Sequence, residues 1–176
     1  MKTVLNEEQL NITIKRLSHQ ILENHMNLEN TVIIGIQPRG VFVSDHIVEE
    51  LRNLLPGIKF NYGILDITFY RDDIRKEIHK PNHTRISFTV ENKNVVLVDD
   101  VLHTGRTIRA ALDALLDFGR PSKVELCTLI DRRFSRQLPI QPDYVGKSID
   151  SIISQKVKVF WKSRDARQEV VLLEES

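Results

Sequence analysis

Two adjacent carboxylates, Asp99 and Asp100, follow the apolar run Val95-Val96-Leu97-Val98 and precede a turn that carries His103, Thr104, Gly105, Arg106 and Thr107. The apolar run predicts a buried strand. The acids then stand at its carboxyl end, the edge at which open α/β sheets bind ligands. After the turn, Ile108, Ala111, Leu112 and Leu115 recur at helical spacing, so a helix begins at the same edge. Its free N–H groups and the positive end of its dipole suit a phosphate. Gly105 lets backbone approach a ligand closely, and the threonine hydroxyls add donors. Paired carboxylates beside such a cradle suit a sugar. They accept hydrogen bonds from vicinal hydroxyls and favour a Mg²⁺ held by the ligand's own oxygens. Helix capping alone explains two consecutive acids under a buried strand poorly, because unpaired buried charge is costly.

The rest of the chain has to hold that edge in place. Asn6-Glu7-Glu8-Gln9 has the form of a capping box, and Leu10, Ile14, Leu17 and Ile21 then mark one face of a helix. Residues 31–36 predict a buried strand that ends at Gln37-Pro38-Arg39-Gly40. A second helix carries Val43, Ile47, Leu51 and Leu54 and stops at Pro56-Gly57. Further strands are predicted over residues 59–69, 86–90 and 123–130, with edge strands over 156–161 and 169–173. Gly119 stops the helix that starts at Thr107. Alternating strands and helices define an α/β class with a mostly parallel central sheet flanked by helices. One domain, residues 1–176, is expected. It has two excursions: a charge-dense loop over about 71–85 and a turn-rich segment over about 131–155.

Composition narrows the function classes. Lys plus Arg is 25 and Asp plus Glu is 24, a formal net charge of +1, so a globally basic nucleic-acid binder is not indicated. The single cysteine, Cys127, lies in an apolar run and reads as a small buried residue rather than a nucleophile. The first ten residues lack the pattern of a signal peptide, and no apolar run approaches the roughly 20 residues a membrane span needs. A cytoplasmic location is expected.

The run from Val95 to Thr107 resembles the signature with which type I phosphoribosyltransferases bind 5-phosphoribosyl-1-pyrophosphate (PRPP). A wider resemblance covers nearly the whole chain. It is carried by Asp66-Ile67-Thr68-Phe69-Tyr70-Arg71-Asp72-Asp73, Gly119-Arg120-Pro121-Ser122, Asp131-Arg132, Leu138-Pro139-Ile140 and Asp143-Tyr144-Val145-Gly146-Lys147. These are similar to the branch that joins uracil phosphoribosyl transfer to control of pyrimidine operons. The resemblance implies a type I phosphoribosyltransferase fold with a small hood (131–155) and a flexible loop (71–85).

The resemblance also implies an activity and its parts. PRPP and uracil would give UMP and pyrophosphate, with Mg²⁺ as cofactor. Asp99 and Asp100 would hold the ribose hydroxyls and, through them or water, the metal. His103, Thr104, Gly105, Arg106 and Thr107 would wrap the 5-phosphate. Pro38, Arg39 and Gly40 would form the pyrophosphate loop, with Arg39 catalytic beside the two acids, and Arg71 would join them from the flexible loop. Backbone near Tyr144, Val145, Gly146 and Lys147 would hold the base. His103 stands where purine enzymes of the family commonly carry Asp, which argues against purine salvage. UMP-dependent binding of pyrimidine leader RNA is implied as a second activity, with Lys15, Arg16, His19, Arg136 and Lys147 as candidate contacts. The family also implies a homo-oligomer, a dimer or an assembly of dimers. The chain departs from the pattern at Gln141-Pro142, where a basic residue is usual, and at 131–136, one residue longer and without a histidine. An RNA-binding attenuator with little catalysis and a purine-type transferase are the alternatives.

Overall fold

A computed structural model describes residues 1–71, 83–152 and 154–174. The chain runs β1 (Lys2–Leu5), α1 (Glu7–His25), β2 (Thr31–Ile36), α2 (Gly40–Leu54), β3 (Asn61–Leu65), β4 (Asn94–Leu102), α3 (Arg106–Leu115), β5 (Lys123–Arg132), β6 (Tyr144–Ile149), β7 (Gln155–Phe160), a short α4 (Lys162–Asp165) and β8 (Glu169–Glu174). Five strands form one parallel sheet in the order β3-β2-β4-β5-β6. β1, β8 and β7 form a second, antiparallel sheet.

Burial on both faces explains the near-continuous apolar runs of β2, β4 and β5. One face packs against α1, α2 and the small sheet through residues such as Leu17, Ile47, Val96, Cys127 and Val159. The other packs against α3 through Leu97, Ile108, Ala111 and Leu115. The expected start of α1 is present as a reciprocal pair. Asn6 Oδ1 accepts from the Gln9 N–H at 2.9 Å, and Gln9 Oε1 accepts from the Asn6 N–H at 3.0 Å. Trp161, 2% exposed, lies within the core and stacks on Phe42 and His46 of α2.

Several expectations need correction. β4 does not stop before the acids but continues to Leu102, because β5 keeps pairing with it as far as Leu102↔Asp131. Residues 86–90 form no strand. Only Arg85 bridges back to Ile64, and the third strand ends at Leu65, followed by a 3-10 turn at Thr68–Tyr70. The turn-rich segment contains β6, the fifth strand of the main sheet. β7 and β8 are not edges of that sheet but pair with each other and with β1, which the sequence reading omitted. Leu112, expected on the inner face of its helix, is 38% exposed. Residues 72–82 of the charge-dense loop, including Asp72, Asp73, Arg75, Lys76, His79 and Lys80, lie outside the described residues.

Candidate active site

The site begins where one strand pairing ends. β2 pairs with β4 only as far as Gly35↔Val98, whereas β5 follows β4 past Asp99. At Asp99 and Asp100 the strand therefore has one open edge, and the turn after β2 faces it. Gly40 opens α2 there, and a Cβ at Gly40 would lie 2.4 Å from the Val98 carbonyl oxygen and 2.9 Å from Asp99 Cα. Only a residue without a side chain lets the helix start approach the acids this closely. The Gln37–Pro38 peptide is cis, and the Gln37 N–H donates to the Leu65 carbonyl at 2.9 Å. Arg39, next in the turn, brings Nη1 to 3.8 Å from Asp100 Oδ2.

Each acid is 6% exposed. Burial raises the proton affinity of both carboxyls well above the usual range. At Asp99 the neighbouring Asp100 charge adds to this, while the Asp100 N–H, donating to Asp99 Oδ1 at 2.9 Å, and Arg71 oppose it. At Asp100 the Arg39 guanidinium is the main opposing influence. Two carboxyls with so few donors form a strongly accepting surface, suited to hydroxyl groups or to a cation's ligands. Among the described residues no three His, Cys, Asp or Glu side chains converge as metal ligands. The pair of acids fits a divalent ion held chiefly by a ligand's oxygens, with the aspartates beside it.

Beyond Leu102 the chain turns through His103, Thr104 and Gly105 into α3. Gly105 has φ 93°, the left-handed region that a side chain disfavours. A cavity of about 350 Å³ opens here, lined by Arg71, Asp99, Thr104, Gly105, Arg106 and Thr107 among others. Arg39 and Gly105, which precede α2 and α3, make no side-chain cap of the kind that closes α1, and at α3 the Thr104 hydroxyl accepts from the Arg106 N–H at 3.4 Å. His103 is half-buried. Burial, then the charges of Arg132 and Arg136, hold its imidazole below the usual pKa, favouring the neutral ring. Cys127 is fully buried, and burial pushes its thiol up to about 12, so it is not a nucleophile.

The residues named for the base and for RNA divide differently. Val145 lines a second cavity of about 600 Å³ with Asp131, Arg136 and Ile140. The Tyr144 side chain points elsewhere, into a buried cluster where its hydroxyl donates to Glu125 at 3.1 Å and meets His25 and Asn24. Lys147 Nζ donates to the Val4 carbonyl at 3.0 Å, which ties β6 to β1. Arg16 donates to the Val145 and Gly146 carbonyls at 3.2 and 2.5 Å. Gly146 seats β6 against α1 and β5, since a Cβ there would lie 2.9 Å from Thr13 and 2.3 Å from the Leu129 carbonyl. Arg136 is held by Asp131 and by the His103 carbonyl. Lys15 and His19 are exposed on α1. Gln137, which no sequence motif singles out, also lines the first cavity. Its position depends on a contact 33 residues distant in sequence, from Gln137 N to the Thr104 carbonyl, and no local pattern marks it.

A parallel sheet with its acids and two helix starts at one edge matches a known class. The family model for the phosphoribosyl transferase domain matches residues 1–164, and the chain belongs to the phosphoribosyltransferase family. Its curated relatives place it in the PyrR branch. The Actinobacillus succinogenes protein named Bifunctional protein PyrR is 48% identical over 179 residues, covering 98% of each chain. The Caldicellulosiruptor bescii protein of the same name is 44% identical over 97% of this chain and 94% of its own. Among solved structures, a Trypanosoma cruzi hypoxanthine phosphoribosyltransferase superposes with a TM-score of 0.72 at 16% identity, covering 99% of this chain and 97% of that one. A Staphylococcus aureus hypoxanthine phosphoribosyltransferase gives 0.64 at 22% identity over 86% and 80%. These two confirm the fold. No helix among the described residues is long and apolar enough to cross a membrane.

Proposed function

We propose that the chain, acting as one catalytic domain, transfers the ribose 5-phosphate of PRPP to uracil, forming UMP and pyrophosphate. The observation that carries this reading is the pair of buried acids beside the Gly105 turn. A ribose whose 5-phosphate sits at the start of α3 would present its hydroxyls to Asp99 and Asp100. Its pyrophosphate would lie toward Pro38, Arg39 and Gly40, with Arg71 alongside. Bound Mg²⁺ would supply charge neutralisation at the pyrophosphate and ribose oxygens. In the reaction the C1–O bond to pyrophosphate breaks and a bond from C1 to a ring nitrogen of the base forms, with loss of that nitrogen's proton. Positive charge develops at the sugar, by analogy with other glycosyl transfers. Asp99 and Asp100, ionised where Arg39 and a bound cation offset the proton affinity that burial raises, would stabilise it electrostatically, and positioning supplies much of the rest. No protein nucleophile is required.

Uracil is favoured over purines by His103, which stands where purine enzymes of the family commonly carry Asp, and by relatives that are PyrR proteins. The purine enzymes among the solved structures share the fold at 15–22% identity, too distant to set base choice. Incubating the protein with PRPP, Mg²⁺ and each of uracil, hypoxanthine, guanine and orotate, and following pyrophosphate release, tests the reading. Release with uracil alone supports it. Comparable release with a purine overturns the base assignment.

A second activity, UMP-dependent binding of pyrimidine leader RNA, is favoured by the relatives' name, Bifunctional protein PyrR. Of the cationic set proposed for it, Lys15, Arg16, His19 and Lys147 are exposed, but Arg16, Arg136 and Lys147 each have partners within the chain. A filter-binding assay with leader RNA tests it. UMP-stimulated, salt-sensitive retention supports regulation, and no retention at low salt excludes it. We propose the homo-oligomer on the same family grounds.

A further inference from the structure

Arg136 is turned toward the phosphate turn rather than toward solvent, its side chain 19% exposed. Nη1 donates to the His103 carbonyl at 2.6 Å, and Nη2 pairs with the Asp131 carboxylate at the end of β5. The next two residues continue the contact, as the N–H groups of Gln137 and Leu138 both donate to the Thr104 carbonyl, at 3.0 and 3.2 Å. Arg106 Nε closes it by donating to Gln137 Oε1 at 2.9 Å. A Cβ on Gly105 would lie 3.3 Å from both Leu138 Cβ and Ile140 Cδ1, so the turn is seated tightly on this segment.

Consecutive carbonyls, those of His103 and Thr104, are thus held by one stretch of chain that is itself anchored to the sheet. A trans peptide is planar, with its N–H opposed to its C=O. Fixing these two carbonyls therefore fixes the N–H groups of Thr104 and Gly105 in the opposite direction, away from residues 136–138. We propose that Arg136 is a positioning residue: with Gln137 and Leu138 it forms a brace that aims the N–H groups of the turn at a phosphate monoester before the ligand arrives. The inference rests on the phosphoribosyl transfer proposed above and deepens it. It also moves Arg136 out of the RNA-contact set. Without the brace, the turn's peptide groups would have to be ordered at the expense of binding energy.

The test is calorimetric titration of PRPP with Mg²⁺ into wild type, R136A, R136K and D131N, alongside steady-state kinetics. For R136A the brace predicts at least a tenfold rise in the dissociation constant for PRPP. The KM for PRPP should rise by more than kcat falls, with the KM for uracil within twofold of wild type. R136K reaches one of the two acceptors at a time and should recover part of the loss. D131N keeps the His103 contact but weakens the anchor, and should lie between wild type and R136A, which preserves the test if R136A does not fold. A PRPP affinity within twofold of wild type in both R136A and D131N overturns the brace, as does an equal loss of affinity for PRPP and uracil. If wild type itself fails to bind PRPP, the proposed function falls instead.

Discussion

Arg39 Nη1 lies 3.8 Å from Asp100 Oδ2, joining the turn after β2 to the carboxylate pair on β4. The guanidinium offsets the burial that raises the Asp100 carboxyl, and at 40% side-chain exposure it can still turn toward a ligand. R39A should lower kcat/KM for PRPP by about 10²–10³-fold, the range seen when one preorganised donor to developing charge is removed. R39K should recover little, because a point charge does not reproduce a planar fork. Initial rates over a PRPP series check both variants.

The Asp99 carboxyl has its folded-state proton affinity raised, first by burial and then by Asp100. Between its unfolded and folded pKa the native state binds more protons than the unfolded state, so this group makes stability fall as pH rises through that window. D99N removes the titrating group. It should melt higher than wild type at pH 8, by on the order of 1 kcal/mol for each pKa unit removed, with the gap narrowing toward pH 5. Activity should be lost at both pH values. Thermal melts across pH 5–8 read the sign directly.

Glu125 gives the opposite slope. Burial opposes its charge, but bonds from Lys123, His25 and Tyr144 outweigh that and hold its carboxyl below the usual range. The His25 Nε2–Glu125 Oε2 contact is 2.5 Å, with both side chains nearly inaccessible. A depressed pKa contributes stability above the unfolded carboxylate value, and that stability is lost as pH falls through the folded one. E125Q should cost about 1–3 kcal/mol at neutral pH, the range for leaving buried hydrogen-bonding groups imperfectly paired, and should flatten the acid limb of the melting curve. Steady-state activity below the melting transition should be kept, because the cluster lies at the far end of β5 from Asp131.

Gly40 and Thr128 set the tolerance of the core around the site. G40A drives a methyl to 2.4 Å from the Val98 carbonyl and should destabilise by about 1–3 kcal/mol, with loss of activity as α2 moves away from Asp99. Thr128 pairs in register with Asp99 and is fully buried. Its hydroxyl is the one buried side-chain polar atom without a partner among the described residues. T128V removes that unmet donor and should raise stability by about 1 kcal/mol, or about 2–4 °C for a chain of this size. Scanning calorimetry of both variants separates these two signs.

The sequence made the run from Val95 to Thr107 legible because everything it needs is local: apolar strand residues, adjacent acids, and a glycine at a turn. The capping box at Asn6 and Gln9 was legible for the same reason. The strand at Lys2–Leu5 was not, since its register is set by β8, with Lys2 opposite Leu172. The surroundings of Tyr144, Arg16, Arg136 and Lys147 also depend on partners far away in the chain, so their types gave no sign of which carbonyl or carboxylate would engage them. Leu112 shows the limit of periodicity. Spacing located the apolar stripe of α3, but the width of that stripe depends on what covers the helix, and Leu112 and Leu116 remain exposed.

The central claim is that Asp99 and Asp100 hold the ribose of PRPP beside the Gly105 turn. Calorimetric titration of PRPP with Mg²⁺ into wild type and into the D99N/D100N double variant tests it most directly. The account predicts saturable binding to wild type and at least a hundredfold weaker binding to a double variant that is folded and melts no lower. Equal affinity in the two proteins would contradict it.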